Sequence, residues 1–254
     1  CFSDGCGLIS EDLSKALLRK IEAGGPHDNP SAYQIRFNGA KGMVSVWPDY
    51  VLKDRSGRPG VKMLIRRSMR KFEVDHGVLE VITTSRFHPG FLNRQMITVL
   101  STLGVPDETF IELQENMLDS LSRIFASGEE ALEVVLRMPE DADSKDGIIE
   151  MIEAGFDVAD EPFLREQLHC IRRKHLRVLE RKTRIFVPHA AFLLGIMDET
   201  GTLEYGEVFI QICSPETNYE TFVPVGCDIV VGKNPVLHPG DIRVLKARGI
   251  NVPR

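Results

Sequence analysis

The sequence contains no run of apolar residues approaching the roughly 20 that a helix needs to span a bilayer. Its first residues also lack the charged-then-apolar layout of a signal peptide. Both absences lead to the expectation of a soluble, intracellular chain, in nucleus or cytoplasm and without a membrane partner. Five cysteines (Cys1, Cys6, Cys170, Cys213, Cys227) are an odd number and lie far apart. No Cys-x-x-Cys pair and no Cys/His cluster with zinc spacing occurs, which argues against a disulfide framework and a structural zinc. Free thiols in a reducing compartment are the expectation. P-loops, dinucleotide fingerprints and Gly-x-Ser-x-Gly elbows are missing. His189 and His238 have no triad-like Asp or Ser partner, and Cys6 reads as a small strand hydrophobe rather than a nucleophile. There is no repeat of fixed period and no low-complexity tract. Nor is there an excess of positive charge: 31 Lys and Arg face 37 Asp and Glu, for a net charge of −6. A generic basic nucleic-acid coat is thereby disfavoured, while a local basic lining is not.

What is present is enough apolar residue, 43% of 254, to bury a real core in one large domain or two small ones. Phe2–Ile9 reads as a Gly-broken strand, and Ser10 as the N-cap of an amphipathic helix with Leu13, Leu17, Leu18 and Ile21 on one face, ended by Gly24-Gly25-Pro26. Ala32–Phe37 alternates as a half-buried strand, Asn38-Gly39 is a hairpin turn, and Met43–Trp47 returns. Asp49 to Gly60 reads as a polar surface loop, Met63 to Lys71 as a strand or short helix, and Val78–Thr83 as a further strand. After a Pro/Gly break at Phe87–Phe91 the pattern turns helical: Asn93–Leu103, a longer helix from Pro106-Asp107, then Glu129–Leu136, Gly147–Ala154 and Phe163 to about Arg181. From Thr183 the chain is β-rich again. Arg184–Val187 and Glu207–Ile212 read as a hairpin, and Asp228–Val231 as a buried strand that stops at the rigid polar loop Gly232-Lys233-Asn234-Pro235.

The candidate chemistry lies at these punctuation points. Lys41, in the turn Asn38-Gly39-Ala40-Lys41-Gly42, reads from spacing alone as a solvated hairpin lysine; its flanking glycines also permit close approach of a ligand. Lys233 and Asn234 share a loop with His238, Asp241 and Arg243 just beyond, where Asp241 and Arg243 are spaced for a local ion pair. Asp198-Glu199 is the acidic pair nearest this stretch, but adjacent residues make a poor Mg²⁺ cage and a solvated turn is expected. Glu140, Asp141, Asp143 and Asp146 likewise read as a solvated loop. Two basic faces stand out, Arg66, Arg67, Arg70 and Lys71, and Arg172, Arg173, Lys174, Arg177, Arg181 running to Arg184. Either can track a phosphate backbone or simply be hydrated or paired with acids.

Several blocks in order resemble the cell-encoded RNA-dependent RNA polymerases of eukaryotic gene silencing. They are Asp4-Gly5-Cys6-Gly7, Ser31–Arg36 with Gly39-Ala40-Lys41-Gly42, Arg67-Ser68-Met69 with Lys71-Phe72, Asn93-Arg94-Gln95 with Ser101–Val105, Asp198–Gly206, and Lys233–Arg243. The resemblance implies an α+β fold: two double-psi β-barrels joined by a helical connector. Residues 1–85 would form most of the first barrel, 86–182 the connector, and 183–254 the N-terminal part of the second. It implies an RNA-directed RNA polymerase that makes double-stranded RNA from single-stranded RNA and NTPs for siRNA production, with a dicing nuclease and other silencing factors as partners. Lys41, Lys233, Asn234 and Arg243 would bind substrate or RNA phosphates, and Arg36, Arg172, Arg173, Arg184 and His238 would line the RNA channel. One departure is plain: the family's Asp-x-Asp-Gly-Asp loop, which would hold Mg²⁺, does not occur in this sequence. No catalytic or metal-binding residue is therefore assigned. Because it starts at Cys1-Phe2 without Met and stops at Arg254, the chain is expected to be a core piece cut at both ends, with its Mg²⁺ ligands beyond Arg254 and no activity alone. The rival readings are a truncated paralogue that binds RNA without catalysis and a degenerate product without function.

Overall fold

The computed structural model describes residues 5–21, 30–137, 145–213 and 220–249, a mixed α/β structure. β1 (Cys6–Ser10) feeds α1 (Glu11–Ile21). Ser10 Oγ accepts the Leu13 N–H at 3.3 Å, and Glu11 and Asp12 fill the first turn, so the expected cap is in place. Gly24-Gly25-Pro26 lies outside the described residues. β2 (Ala32–Phe37) and β3 (Ala40–Trp47) form the expected hairpin. Asn38 and Gly39 take φ values of 43° and 72°, the left-handed pair that a two-residue turn of this kind needs.

α2 (Asp49–Ser56), β4 (Met63–Leu64) and β5 (Glu80–Thr84) complete this part, giving a sheet of order β4-β1-β3-β2-β5. β1 and β3 run parallel and the other pairs antiparallel. Successive residues of β1 face opposite sides. Ile9 joins Tyr33, Ile35, Val44 and Met69 in one core, while Leu8 joins Trp47 and Leu52 in another. α2 corrects the loop expected from Asp49 to Gly60. That segment is short of apolar residues, yet Leu52 is fully buried and Gly57 closes the helix at φ 68°. One anchored leucine is a weaker periodic signal than the stripe that sequence patterns detect.

β6 (Pro89–Phe91) leads into α3 (Arg94–Thr102), α4 (Asp107–Ser122), α5 (Gly128–Leu136), α6 (Lys145–Glu153) and α7 (Pro162–Lys182). Asn93, Ser127 and Glu161 cap α3, α5 and α7 by accepting backbone N–H groups. The helices close over Met117, Leu121, Ile124, Val134, Ile148, Leu164, Leu168 and Ile171, each such buried side chain contributing roughly 1.5–3 kcal/mol. β7 (Phe186–Ala191) follows α7 and pairs antiparallel with β6. It does not pair with the segment after Glu207, which corrects the hairpin expected there. The 192–206 connection is too long for a tight turn, and β7 already has a partner reinforced by Leu92 N–H to Ile185 O (2.8 Å) and Phe192 N–H to His88 O (2.7 Å).

The remaining strands are β8 (Glu207–Val208), β9 (Gln211–Cys213), β10 (Glu220–Phe222), β11 (Asp228–Gly232) and β12 (Ile242–Ala247). β9 pairs with β10, and a second sheet has the order β11-β12-β8. β11 is not the buried strand its composition suggests. Its residues alternate between exposed and half-buried, so only one face is covered. Among the described residues no helix is long and apolar enough to cross a membrane.

Candidate functional site

Lys41 is the second residue of β3 itself, which corrects its placement in the turn. Its cross-strand partner on β2 is Arg36, and Arg36 in turn faces Glu80 on β5. Both cations are exposed. Among the described residues Lys41 makes no ion pair. Like charges directly opposite on a sheet repel, so this row carries an uncompensated positive charge. The glycines around Lys41 have a different role from the one their pattern suggests. A Cβ on Gly39 would lie 2.1 Å from Phe72 O, and one on Gly42 2.1 Å from Gly5 O. They admit the protein's own backbone rather than a ligand.

Lys233 and Asp241 close the loop between β11 and β12. The Lys233 N–H donates to Asp241 O at 3.2 Å, and its Nζ lies 3.3 Å from Asp241 Oδ1. Asp241 Oδ2 accepts the N–H groups of Leu237 (2.9 Å) and His238 (3.1 Å). Those backbone bonds, with that of Leu237 foremost and with Lys233 beside them, hold the Asp241 carboxyl below the usual carboxylate range. His238 Nδ1 accepts the Gly240 N–H at 3.0 Å, so this histidine caps its own turn. Asn234 meets the Asn93 amide at 3.5 Å. The expected Asp241–Arg243 pair does not form. Arg243 instead lies over the Tyr205 ring at 4.9 Å and donates to its hydroxyl at 2.8 Å, while Asp241 is held by Lys233. The loop thus gathers Lys233, Asn234 and His238 but leaves Arg243 on β12 with a separate partner.

The basic face of α7 is only partly free. Arg173 donates to His169 O and Cys170 Sγ; Arg172 is half-buried, its Nε without a partner among the described residues. Arg184, past the helix end, lies 4.6 Å over the Phe91 ring. Arg66 leaves the other basic group altogether, because it pairs with Glu199 at 2.8 Å.

Glu199 is the largest departure from the sequence reading. Its side chain is 1% exposed and also faces Arg55 Nε at 3.6 Å, where a solvated turn was expected. Arg55 donates as well to the Glu199 carbonyl, and Arg66 to Cys6 O. These bonds pin the stretch after β7 against β1, β4 and α2. Asp198 does behave as a turn residue. Burial pushes its carboxyl up, but bonds from the Thr200 hydroxyl and the backbones of Leu203, Thr200 and Gly201 outweigh that and hold it low. Nothing in the local sequence distinguishes which of the two acids turns inward; a pairing hint lies only in Arg55 and Arg66, more than a hundred residues away.

These carboxylates do not fit a Mg²⁺ ion. Asp198 is bonded by its own turn, Glu199 Oε2 accepts from Arg66 with Arg55 3.6 Å away, and Asp241 is held by Lys233 and two N–H groups. Among the described residues no group of three ligating side chains converges. Glu140, Asp141 and Asp143 lie outside the described residues.

A family model described as RNA dependent RNA polymerase matches residues 1–253. RNA-dependent RNA polymerase 6 of Arabidopsis thaliana is 41% identical over 267 residues, covering 100% of this chain and 21% of that protein. RNA-dependent RNA polymerase 1 of Schizosaccharomyces pombe is 36% identical over 265 residues, covering 97% of this chain and 21% of its own length. The chain therefore spans about a fifth of the length of these curated relatives. Of the solved structures, RNA dependent RNA polymerase QDE-1 from Thielavia terrestris matches with a TM-score of 0.63 over 96% of this chain and 29% of that one, at 20% identity, which is a likeness of fold. With the family model matched over 1–253, the chain belongs to the RNA dependent RNA polymerase family.

Proposed function

We propose that this chain is part of the core of an enzyme that copies single-stranded RNA into double-stranded RNA from NTPs, in the RNA-silencing pathway that yields siRNA. The observation that carries the reading is the family match over residues 1–253. In this reading residues 1–85 are most of a first double-psi barrel, 86–182 a helical connector, and 183–254 the beginning of a second barrel. Lys41 and Lys233 face a shared cleft and contact phosphates. Arg36 supports Lys41 from the neighbouring strand, and the exposed, unpaired state of Lys41 suits that task. Asn234, His238 and Arg243 shape the Lys233 side, and Arg172, Arg173 and Arg184 follow the RNA backbone. Mg²⁺ would supply electrostatic stabilisation of phosphoryl transfer. Asp198, Glu199 and Asp241 are tied into the fold, and in this reading the Mg²⁺ ligands belong to another segment of a complete polymerase and this chain alone is inactive. A dicing nuclease and other silencing factors are the partners this role calls for.

The test is a chimera in which this chain replaces the matching fifth of the Arabidopsis relative. Template-dependent NTP incorporation should persist, and Lys41→Ala or Lys233→Ala should lower it by about tenfold or more, the loss expected for one charge-assisted phosphate contact. A folded, monodisperse chimera that binds RNA but incorporates nothing would favour the non-catalytic binding reading. RNA synthesis by the 254-residue chain alone would refute the assignment of the metal ligands to another segment.

A further inference from the structure

A cavity of about 370 Å³ opens between α7 and the β6–β7 ribbon. Its apolar lining includes Phe91, Ile171, Val178 and Phe192, and its cations are Arg137, Lys174 and Arg184. The size is that of a small-ligand site rather than a packing defect. Two of the cations are organised by rings: Arg137 lies 4.2 Å over Phe186 and Arg184 4.6 Å over Phe91. The Arg137 side chain is only 10% exposed, and Glu133 pairs with it. Among the described residues neither Lys174 nor Arg184 has a carboxylate partner. Two unmatched charges at the mouth of an apolar cavity, beside a third that is mostly buried, form a site whose missing component is an anion.

The apolar lining says what kind of anion. Inorganic phosphate would leave the Phe91 and Phe192 walls bare, and a fatty carboxylate would not use the stacked guanidinium. Phe192 is half exposed, so one aromatic face is open, and the Arg184 plane offers another flat surface. The geometry points to a nucleotide-binding site: a base held between Phe192 and the Arg184–Phe91 stack, with its phosphate between Lys174 and Arg137. The site does not depend on Lys41 or Lys233, but it shares Arg184 with the RNA-following face proposed above and in that part rests on that reading. The neutral state of neighbouring His175 fits the same picture. Burial, then Arg137, Lys174 and Arg184, push its pKa down to about 4, so the ring adds no fourth charge at neutral pH. The same ligand chemistry comes from a free nucleotide or from one unit of an RNA strand.

Calorimetric titration of the full chain with AMP, adenosine, inorganic phosphate and a five-nucleotide RNA separates the sources. AMP, the RNA or both should bind, with adenosine and phosphate weaker by about tenfold or more, because each lacks half of the contacts. Binding of AMP without the RNA assigns the free nucleotide, binding of the RNA without AMP assigns the strand, and competition between the two assigns one site open to either. Lys174→Gln combined with Arg184→Gln should weaken binding by about tenfold or more, and Phe192→Ala should weaken it too. The exposed helix substitution Arg165→Gln should change it less than about twofold. Photocrosslinking with 8-azido-AMP should label peptides that contain Phe91, Lys174 or Phe192. The proposal is overturned if phosphate binds as tightly as AMP, if Arg165→Gln costs as much as the paired substitution, or if the label falls elsewhere. It is equally overturned if neither AMP nor RNA binds while the folded chain is verified by its thermal transition.

Discussion

In the first sheet, β1 and β3 are shielded on both faces: Leu8, Ile9 and Val44 have no exposed surface, and α1 and α2 pack beside them. In the later sheet, β11 and β12 are as rich in Val and Ile, yet Val230 is 63% and Val244 65% exposed. Strand propensity is similar in the two, so it does not decide burial; what differs is whether another layer is supplied. Among the described residues no helix covers the outer face of β11 and β12. The two regions are also joined differently from the way each is held internally. Apolar packing holds the first sheet, while the carboxylate of Glu199, between Arg55 and Arg66, ties the later chain to it.

Breaking that tie should have the largest effect. Glu199→Ala leaves Arg66, whose side chain is 15% exposed, without its counter-charge. Removing one partner of a buried pair costs about 3–5 kcal/mol, read as a lower midpoint in urea unfolding. Limited proteolysis should then cut between 192 and 206 before the first sheet opens; simultaneous loss of both would show that the regions unfold as one. Core truncation sharpens the same contrast. Ile35→Ala should cost about 3 kcal/mol, whereas Val230→Thr, on the exposed strand, should stay within about 0.5 kcal/mol.

The contrast also explains what could be read from the sequence. α4 and α7 were legible because Phe110, Met117, Leu121 and Leu164, Leu168, Ile171 recur at helical spacing and all prove buried. The β2–β3 hairpin was legible because its alternation and its Asn38-Gly39 turn are local. Illegible were relations set by distant chain. α2 depends on a single leucine meeting Leu8 and Trp47, β7 takes β6 as partner, and Glu199 turns inward toward arginines from α2 and the stretch after β4. The candidate site divides in the same way. Lys41 and Lys233 come from recognisable blocks, but that one lies opposite Arg36 and the other is held by Asp241 follows from strand register and loop closure. The cationic cavity was invisible because Phe91, Arg137, Lys174 and Phe192 come from four segments.

Acid probes the seam between α7 and β6–β7, which is apolar like the first sheet and charged like the later one. His175 has a folded pKa near 4 and an ordinary value of 6.5, so the unfolded chain binds the extra proton first. Stability contributed by the neutral ring is intact above pH 6.5 and is lost as pH falls toward 4, by up to about 3 kcal/mol in total. The depressed carboxyls of Asp198 and Asp241 act in a lower window. Their contribution is present above pH 3.8 and disappears as pH falls through their still lower folded values. Urea midpoints at pH 7, 5.5 and 4.5 should therefore decline in the parent chain and decline less in His175→Leu. An equal decline in both would place the acid sensitivity elsewhere.

The smallest expected effect divides the two lysines. Lys41 faces Arg36 across the hairpin with no carboxylate of its own among the described residues, so Lys41→Gln relieves repulsion and should raise stability by about 0.2–1 kcal/mol. Lys233 pairs with Asp241, but its side chain is 71% exposed, so Lys233→Gln should lower stability by less than about 1 kcal/mol. Opposite signs in paired thermal melts, together with weaker RNA binding by both variants, would mean that the first sheet tolerates an unfavourable charge for the sake of a ligand while the later loop builds its lysine into its own closure. If both substitutions destabilise, Lys41 has a structural partner after all, and the contrast between the well-packed sheet and the open one does not extend to their charged residues.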